Sequence, residues 1–293
     1  MSQTHDPQSF SADAIVIIGI GLIGGSIAAA LKKRGFTGRI LGVGRNPSRL
    51  EAARQAGLID EGTTDLTAAA ARGSLLIFCT PVDLIIDGVL TAAKSCHDGT
   101  LITDAGSVKG GICQALAGKL PQRVTFIGSH PLAGSEKQGF EHADADLFDG
   151  RFCVVTPYQT TASDQMTRLR DFWQSLGCTV VELSAAEHDQ ALAQTSHVPH
   201  VVAAALASTV SASNRDLTAT GFRDTTRIAS GDPALWAAIM LSNADEIVGG
   251  LGRFSNRLKD FHNAISNQDA TTLKNLLQHA KTNRDLLPDY EDR

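Results

Sequence analysis

Residues 14–26 read AIVIIGIGLIGGS: an unbroken apolar run that meets three glycines, Gly19, Gly21 and Gly24, in the spacing G-x-G-x-x-G. A short apolar run without alternation is the pattern of a strand covered on both faces, as in a parallel sheet. Each glycine answers a separate geometric demand. The first permits the tight turn out of the strand, the second lets the main chain approach a pyrophosphate, and the third lets the next helix pack closely on the sheet. That helix, expected over about 24–34, aims free N–H groups and its positive dipole end at phosphates, with Leu22 and Ile23 in the turn. A second apolar run at 39–43 follows at the right distance, so the context is that of a dinucleotide site. The same stretch makes a poor membrane span, because its uncharged positions include four glycines and no stop-transfer flank follows.

Working outward, 293 residues with 43% hydrophobic content suffice for about two domains. The formal net charge is -5, from 26 basic and 31 acidic residues with no long run of either sign. That balance argues against nucleic acid or a membrane surface as a partner. The five cysteines are scattered, odd in number and set mostly in apolar runs such as LLIFCT and RFCVV. They read as buried thiols of a cytoplasmic protein. Residues 1–13 are polar, lack the basic and apolar regions of a secretion signal, and read as a loose tail.

Further apolar runs at 74–79, 100–103, 124–128, 152–156 and 179–183 alternate with helical patterns at 48–57, 65–72, 82–95, 109–119 and 164–176. Such alternation predicts an α/β fold, a Rossmann-type doubly wound parallel sheet. After residue 183 only helical patterns remain, at 187–213, 233–263 and 269–286. Asp269 with Thr271 and Thr272 forms a start signal for the last, and Pro199 is expected to kink or break the first. The expected organisation is a tail (1–13), a dinucleotide-binding domain (14–184) and an all-helical substrate and dimerisation domain (185–293).

The second strand ends in ILGVGRNPSR. An NAD-specific site places a carboxylate there on the adenosine ribose, whereas this chain has Gly44 followed by Arg45. Nothing then repels a 2′-phosphate, and a guanidinium is suited to pair with one, so the reading leans to NADP and leaves NAD open. Chemistry is expected at the carboxyl edge of the sheet. Three strand ends supply candidates: TPVD with Thr80 and Pro81, DAGSVKG with Asp104, Ser107 and Lys109, and SHPLAGSEKQG with His130, Glu136 and Lys137. Two polar loops converging on one edge are hard to explain as packing. A Ser107/Lys109 hydrolase lacks the G-x-S-x-G elbow. A metal site would have to recruit His188, His197 and His200, and no carboxylate or thiolate cluster accompanies them, so no metal is expected.

Taken together, GIGLIGGS, CTPVD, DAGSVKG, SHPLAGSEKQGF, SHVPHVVAAAL and GFRDTTRIASGDPALW resemble the prephenate and arogenate dehydrogenase family of tyrosine biosynthesis, over about residues 15–236. The resemblance implies that His130 is the catalytic histidine facing a ring hydroxyl, with Ser107 hydrogen-bonded beside it and Glu136 bordering the pocket. It further implies that Arg227 binds a substrate carboxylate with His197 or His200 nearby, that the substrate is prephenate or arogenate, and that the chain is a homodimer. The residues departing from the pattern are Gly44 and Arg45. Residues 1–13 are too few for a chorismate mutase domain, and no regulatory domain is expected after the last helix.

The residue chemistry agrees with that expectation. Oxidising a cyclohexadienol carbinol needs a hydride acceptor, a base for the hydroxyl proton and a cation for the carboxylates. A nicotinamide site, His130 and Arg227 supply these, and a neutral imidazole suits the base role because its reference pKa lies near working pH. Asp224 is a competing partner for Arg227. Ala- and Leu-rich helices in about 100 residues also leave more apolar surface than one small domain buries, which favours a dimer. Two other classes share the plan. A β-hydroxyacid dehydrogenase or pyrroline-carboxylate reductase would normally rely on a lysine in the helical domain, and the absence of any from 185–213 argues against the first of these. A non-catalytic NADPH sensor has no need of Ser107, His130 and Arg227 together.

Overall fold

The computed structural model describes residues 10–135 and 137–287; residues 1–9 of the expected tail and Glu136 lie outside them. The opening apolar run forms β1 (Ala14–Ile18), every residue of it buried. It is followed by α1 (Leu22–Lys33), β2 (Arg39–Val43), α2 (Pro47–Gln55), β3 (Glu61–Thr63), α3 (Leu66–Ala70) and β4 (Leu75–Phe78). Next come α4 (Ile85–Ala92), β5 (Thr100–Asp104), α5 (Gly110–Leu116) and β6 (Val124–Phe126). The six strands form one sheet in the order β3-β2-β1-β4-β5-β6, and every pairing is parallel. This is the Rossmann order, in which the chain reverses direction across the sheet between β1 and β4.

Side chains alternate across each strand, so the sheet has two apolar faces and needs two layers of helix. Ile15, Ile17, Leu75 and Ile77 pack with Ile27 and Leu31 of α1 and Leu50 of α2. On the same face lie Phe172 and Trp173 of α6 (Ser163–Ser175). Val16, Ile18, Leu76 and Phe78 pack on the other face with Ala69 of α3, Ile85 and Val89 of α4, and Ile112 of α5.

The run at 124–128 behaves differently from the single strand expected of it. β6 ends at Phe126 and the chain enters β7 (Gly128–Pro131), which pairs antiparallel with β8 (Phe152–Thr156), itself parallel to β9 (Thr179–Glu182). His130 therefore lies within a strand, opposite Val154, and not in a loop. Buried polar groups hold the step between the sheets. Thr103 Oγ1 donates to the Ile127 carbonyl at 2.7 Å, and Ser129 Oγ donates to the Asp104 carbonyl at 2.5 Å. Trp173 Nε1 donates to Ser129 Oγ at 3.1 Å.

After β9, only helices follow among the described residues: α7 (Ala185–Leu192), α8 (Val198–Thr209), α9 (Thr220–Thr226), α10 (Pro233–Ser242), α11 (Ala244–Ser266) and α12 (Ala270–Asp285). A capping box opens α7: Ser184 Oγ accepts the Glu187 N–H at 3.2 Å and Glu187 Oε2 accepts the Ser184 N–H at 2.8 Å. Pro199 does not break the helical run as expected. It sits in the first turn of α8, immediately after a π turn at Ala193–His197, where its missing N–H and its ring are accommodated. Asp269 caps α12 as expected, accepting the Thr272 N–H at 3.0 Å.

The chain divides into two compact units, one up to Ala244 and one from Asp245 onward. In the second unit, Leu251, Phe254, Leu258, Phe261 and Ile265 recur along α11 at alternating intervals of three and four. Phe254, Leu258 and Ile265 are exposed. No helix among the described residues is long and apolar enough to cross a membrane.

Candidate active site

The glycine turn lies where the ends of β2, β1 and β4 meet. Gly19 N–H donates to the Val43 carbonyl at 2.8 Å, and Cys79 N–H donates to the Ile18 carbonyl at 2.7 Å. Gly19 has φ +98°, and a Cβ there would stand 2.7 Å from the Cys79 carbonyl oxygen. Both facts require glycine. A Cβ on Gly24 would overlap the Gly19 carbonyl oxygen and lie 3.0 Å from Ile17 Cγ2, so this glycine sets the close approach of α1 to the sheet. Gly21 is different, since a Cβ there would meet no protein atom within 4 Å. It stands at the N-cap of α1, whose first turn no side chain caps.

The open space at Gly21 beside free helix N–H groups is the cradle a pyrophosphate fits. Thr80, at the end of β4 next to Pro81, contributes a buried Oγ1 without a partner. Gly44 follows β2, and Arg45 is exposed with no ion pair among the described residues. These residues fit a dinucleotide laid across the carboxyl edge.

A second cluster stands at the end of β5. The Asp104 carboxylate receives the buried Lys109 ammonium in an ion pair, the Gly106 N–H at 2.9 Å and the Ser129 N–H at 3.2 Å. This fixes β7, and His130 with it, against the sheet edge. His130 is 9% exposed. Its Nδ1 lies 2.9 Å from His188 Nε2, and His188 Nδ1 lies 2.7 Å from Asp189 Oδ1. The Asp189 carboxylate also accepts the main-chain N–H groups of Lys109 and Gly110, each at 2.7 Å. Asn243 Nδ2 donates to the Asp189 carbonyl at 2.9 Å and to His197 Nδ1 at 3.1 Å. His197 must then carry its proton on Nε2, a buried atom with no partner. His200 stacks on Trp236 with centroids 3.5 Å apart, and its Nδ1 is likewise buried without a partner.

Burial sets the electrostatics. It pushes His130 well below the ordinary histidine value, and the neighbouring His188, Lys109 and His197 add to the shift. His197 is lowered to about 4, chiefly by burial and against the pull of Asp189. Burial opposes the charge on Asp189, yet hydrogen bonds from His188 and from the Lys109 and Gly110 N–H groups hold its pKa below the usual carboxylate value. The site thus pairs an ionised carboxylate with neutral imidazoles.

Of the expected residues, the network gathers His130, Lys109 and His197, and Trp236 links His197 to His200 through ring contacts. Lys109 is locked to Asp104, which removes it as the base of a Ser107 hydrolase. Ser107 is half-exposed and its hydroxyl has no protein partner among the described residues. Arg227 is exposed, opens the 3-10 turn Arg227–Ser230 that packs on α8, and forms no ion pair with Asp224. Glu136 lies outside the described residues. Among them, no three His, Cys, Asp or Glu side chains converge to hold a metal, and the five cysteines are free thiols.

Sequence reasoning missed Asp189 and Asn243, and weighed His188 only as a metal ligand. The signal available was EHDQ, a cluster of polar and titratable residues in the first turns of an otherwise Ala-rich helix.

A dinucleotide cradle and a buried neutral histidine at one sheet edge define a nicotinamide-dependent dehydrogenase. Residues 27–182 match the family model "Prephenate dehydrogenase, nucleotide-binding domain", and residues 184–279 match "Prephenate dehydrogenase, dimerization domain". The chain belongs to the prephenate dehydrogenase family. It is 34% identical to the prephenate dehydrogenase of Bacillus subtilis over 94% of this chain and 76% of that one. It is also 34% identical to the cyclohexadienyl dehydrogenase of Zymomonas mobilis, over 91% and 92% of the two chains. Among solved structures it is similar to prephenate dehydrogenase from A. aeolicus in complex with hydroxyphenyl propionate and NAD+. There the TM-score is 0.88 at 30% identity, covering 94% of this chain and 99% of that one.

Proposed function

We propose that this chain oxidatively decarboxylates prephenate, or its amino counterpart arogenate, to 4-hydroxyphenylpyruvate or tyrosine in tyrosine biosynthesis. The observation that carries the reading is the pair of family matches, in order, over both halves of the chain. A bound nicotinamide supplies the hydride acceptor. His130, neutral because it is buried, takes the ring hydroxyl proton on Nε2 as the carbinol becomes a carbonyl. Ser107, with an unengaged hydroxyl, holds that oxygen in line. Loss of the ring carboxylate as carbon dioxide leaves its bonding electrons in the ring, the phenolate oxygen so formed takes the proton back from His130, and aromatisation drives the step without a metal.

Arg227 pairs with a substrate carboxylate, while the orphan Nε2–H of His197 donates to a substrate oxygen, with His200 beside it. Gly19, Gly21, Leu22, Ile23 and Gly24 hold the pyrophosphate, Thr80 and Pro81 border the nicotinamide half, and Gly44 with Arg45 favours NADP. Residues 185–293 form the substrate and dimerisation domain. The three-four seam on α11 has the spacing of helices that pack on a partner helix, which supports a homodimer. The test is absorbance at 340 nm after mixing the protein with prephenate or arogenate and NAD+ or NADP+. A rise with either substrate is expected, and no rise with any pairing overturns the reading.

A further inference from the structure

His130 presents two ring nitrogens, and only a lone pair facing the substrate can take a proton. Three hydrogen bonds to the Asp189 carboxylate start the assignment. The main-chain N–H groups of Lys109 and Gly110 only donate, so the Asp189 carboxylate accepts from both at 2.7 Å. A carboxylate in that position also accepts from His188, at 2.7 Å, which places the His188 proton on Nδ1. His188 with its proton on Nδ1 offers Nε2 as an acceptor, and the atom facing it at 2.9 Å, His130 Nδ1, then carries the His130 proton.

We propose that His188 and Asp189 are positioning residues for the reaction: in series they hold His130 in the tautomer that leaves Nε2 bare for the substrate hydroxyl. This rests on the reading that His130 is the base. Both residues are buried, and they act through the His130 ring. The arrangement also steadies the charge that forms. Once His130 has accepted the hydroxyl proton on Nε2, its Nδ1–H still points to His188, whose own Nδ1–H is held by an anion. The remaining charged and titratable groups around His130 are Lys109 with its partner Asp104, His197 from the π turn, and Cys153 from β8. The Lys109 charge disfavours an imidazolium, and the Asp189 anion, reached through His188, favours one.

Asp189 also accepts the first N–H groups at the start of α5, so substituting it perturbs packing as well as chemistry. His188 is the cleaner probe. His188→Leu removes the acceptor, whereas His188→Gln offers a carbonyl oxygen that can accept the His130 Nδ1–H. His188→Leu is expected to lower kcat on the order of 10²-fold or more, with KM and cofactor affinity within about 2-fold of native; His188→Gln should recover a substantial part of that loss. The direct readout is 15N NMR of histidine-labelled native protein, in which His130 should show an unprotonated Nε2 and a protonated Nδ1. In His188→Leu that preference should be lost.

Native His130 carrying its proton on Nε2, or His188→Leu with native kcat and an unchanged His130 tautomer, overturns the proposal. Failure of the underlying reading looks different: His130→Asn would then keep native kcat, whatever the tautomer of the native ring.

Discussion

The three glycines of the first turn make separable demands, and substituting each by alanine separates protein stability from cofactor binding. At Gly19 an alanine meets φ +98° and a carbonyl oxygen 2.7 Å from its Cβ. The left-handed backbone costs an L-residue about 1–2 kcal/mol. The overlap adds about 1–3 kcal/mol, as for overpacking elsewhere. A total of about 2–5 kcal/mol corresponds to a fall in Tm of roughly 4–20 °C for a domain of this size. At Gly21 the Cβ meets nothing within 4 Å, and only the N-cap preference is lost, about 1 kcal/mol or less. That Cβ instead enters the space left for the pyrophosphate. Overlap of about 1–3 kcal/mol there weakens cofactor binding by roughly 5- to 150-fold. Thermal unfolding without cofactor, together with fluorescence titration by NADH and NADPH, measures both quantities. Gly21→Ala should unfold near the native temperature and bind poorly, whereas Gly19→Ala should unfold early. Native cofactor affinity in Gly21→Ala would refute the assignment of the cradle.

Arg45→Ala should weaken NADP selectively by about 1.5–3 kcal/mol, the value of a charged hydrogen bond, and a strong NAD preference in native kinetics would contradict the NADP reading. Arg227→Ala should raise the substrate KM greatly with cofactor Kd unchanged, because only one ligand loses its ion pair; equal loss of both, or a general loss of stability, would point to a structural arginine. Sedimentation should give a dimer of the 30.9 kDa chain, and a stable monomer at micromolar concentration would rule out the role given to the α11 seam.

The Rossmann half was legible because its strands are short apolar runs spaced by helices, a pattern burial on both faces enforces. Ile15, Ile17 and Leu75 could hardly lie elsewhere. β3 was not legible, since Glu61–Thr63 is a three-residue edge strand without an apolar residue. The antiparallel β7 escaped because SHP carries no strand periodicity, and its position depends on Thr103, Ser129 and Trp173, which meet only in the folded chain. His130 stood out by its neighbours in sequence. Its supports, His188 and Asp189, lie 58 and 59 positions further on and are brought to it by tertiary packing, to which local spacing is blind. The break expected at Pro199 is absent because the proline falls in the first turn of α8, after a π turn, where its missing N–H is tolerated.

The central claim is that His130 Nε2 takes the substrate hydroxyl proton. Burial holds this histidine neutral well below its usual value, so native kcat should persist as pH falls through 6.5 and decline only at lower pH, where the base becomes protonated. The most direct measurement is kcat and KM of His130→Asn across that range. Asparagine keeps a hydrogen-bonding group of similar size but cannot accept the proton. A loss on the order of 10²- to 10⁴-fold in kcat, with KM little changed and the acid limb gone, is the predicted result. A variant that retains native kcat, or that still shows the native acid limb, would place the base elsewhere.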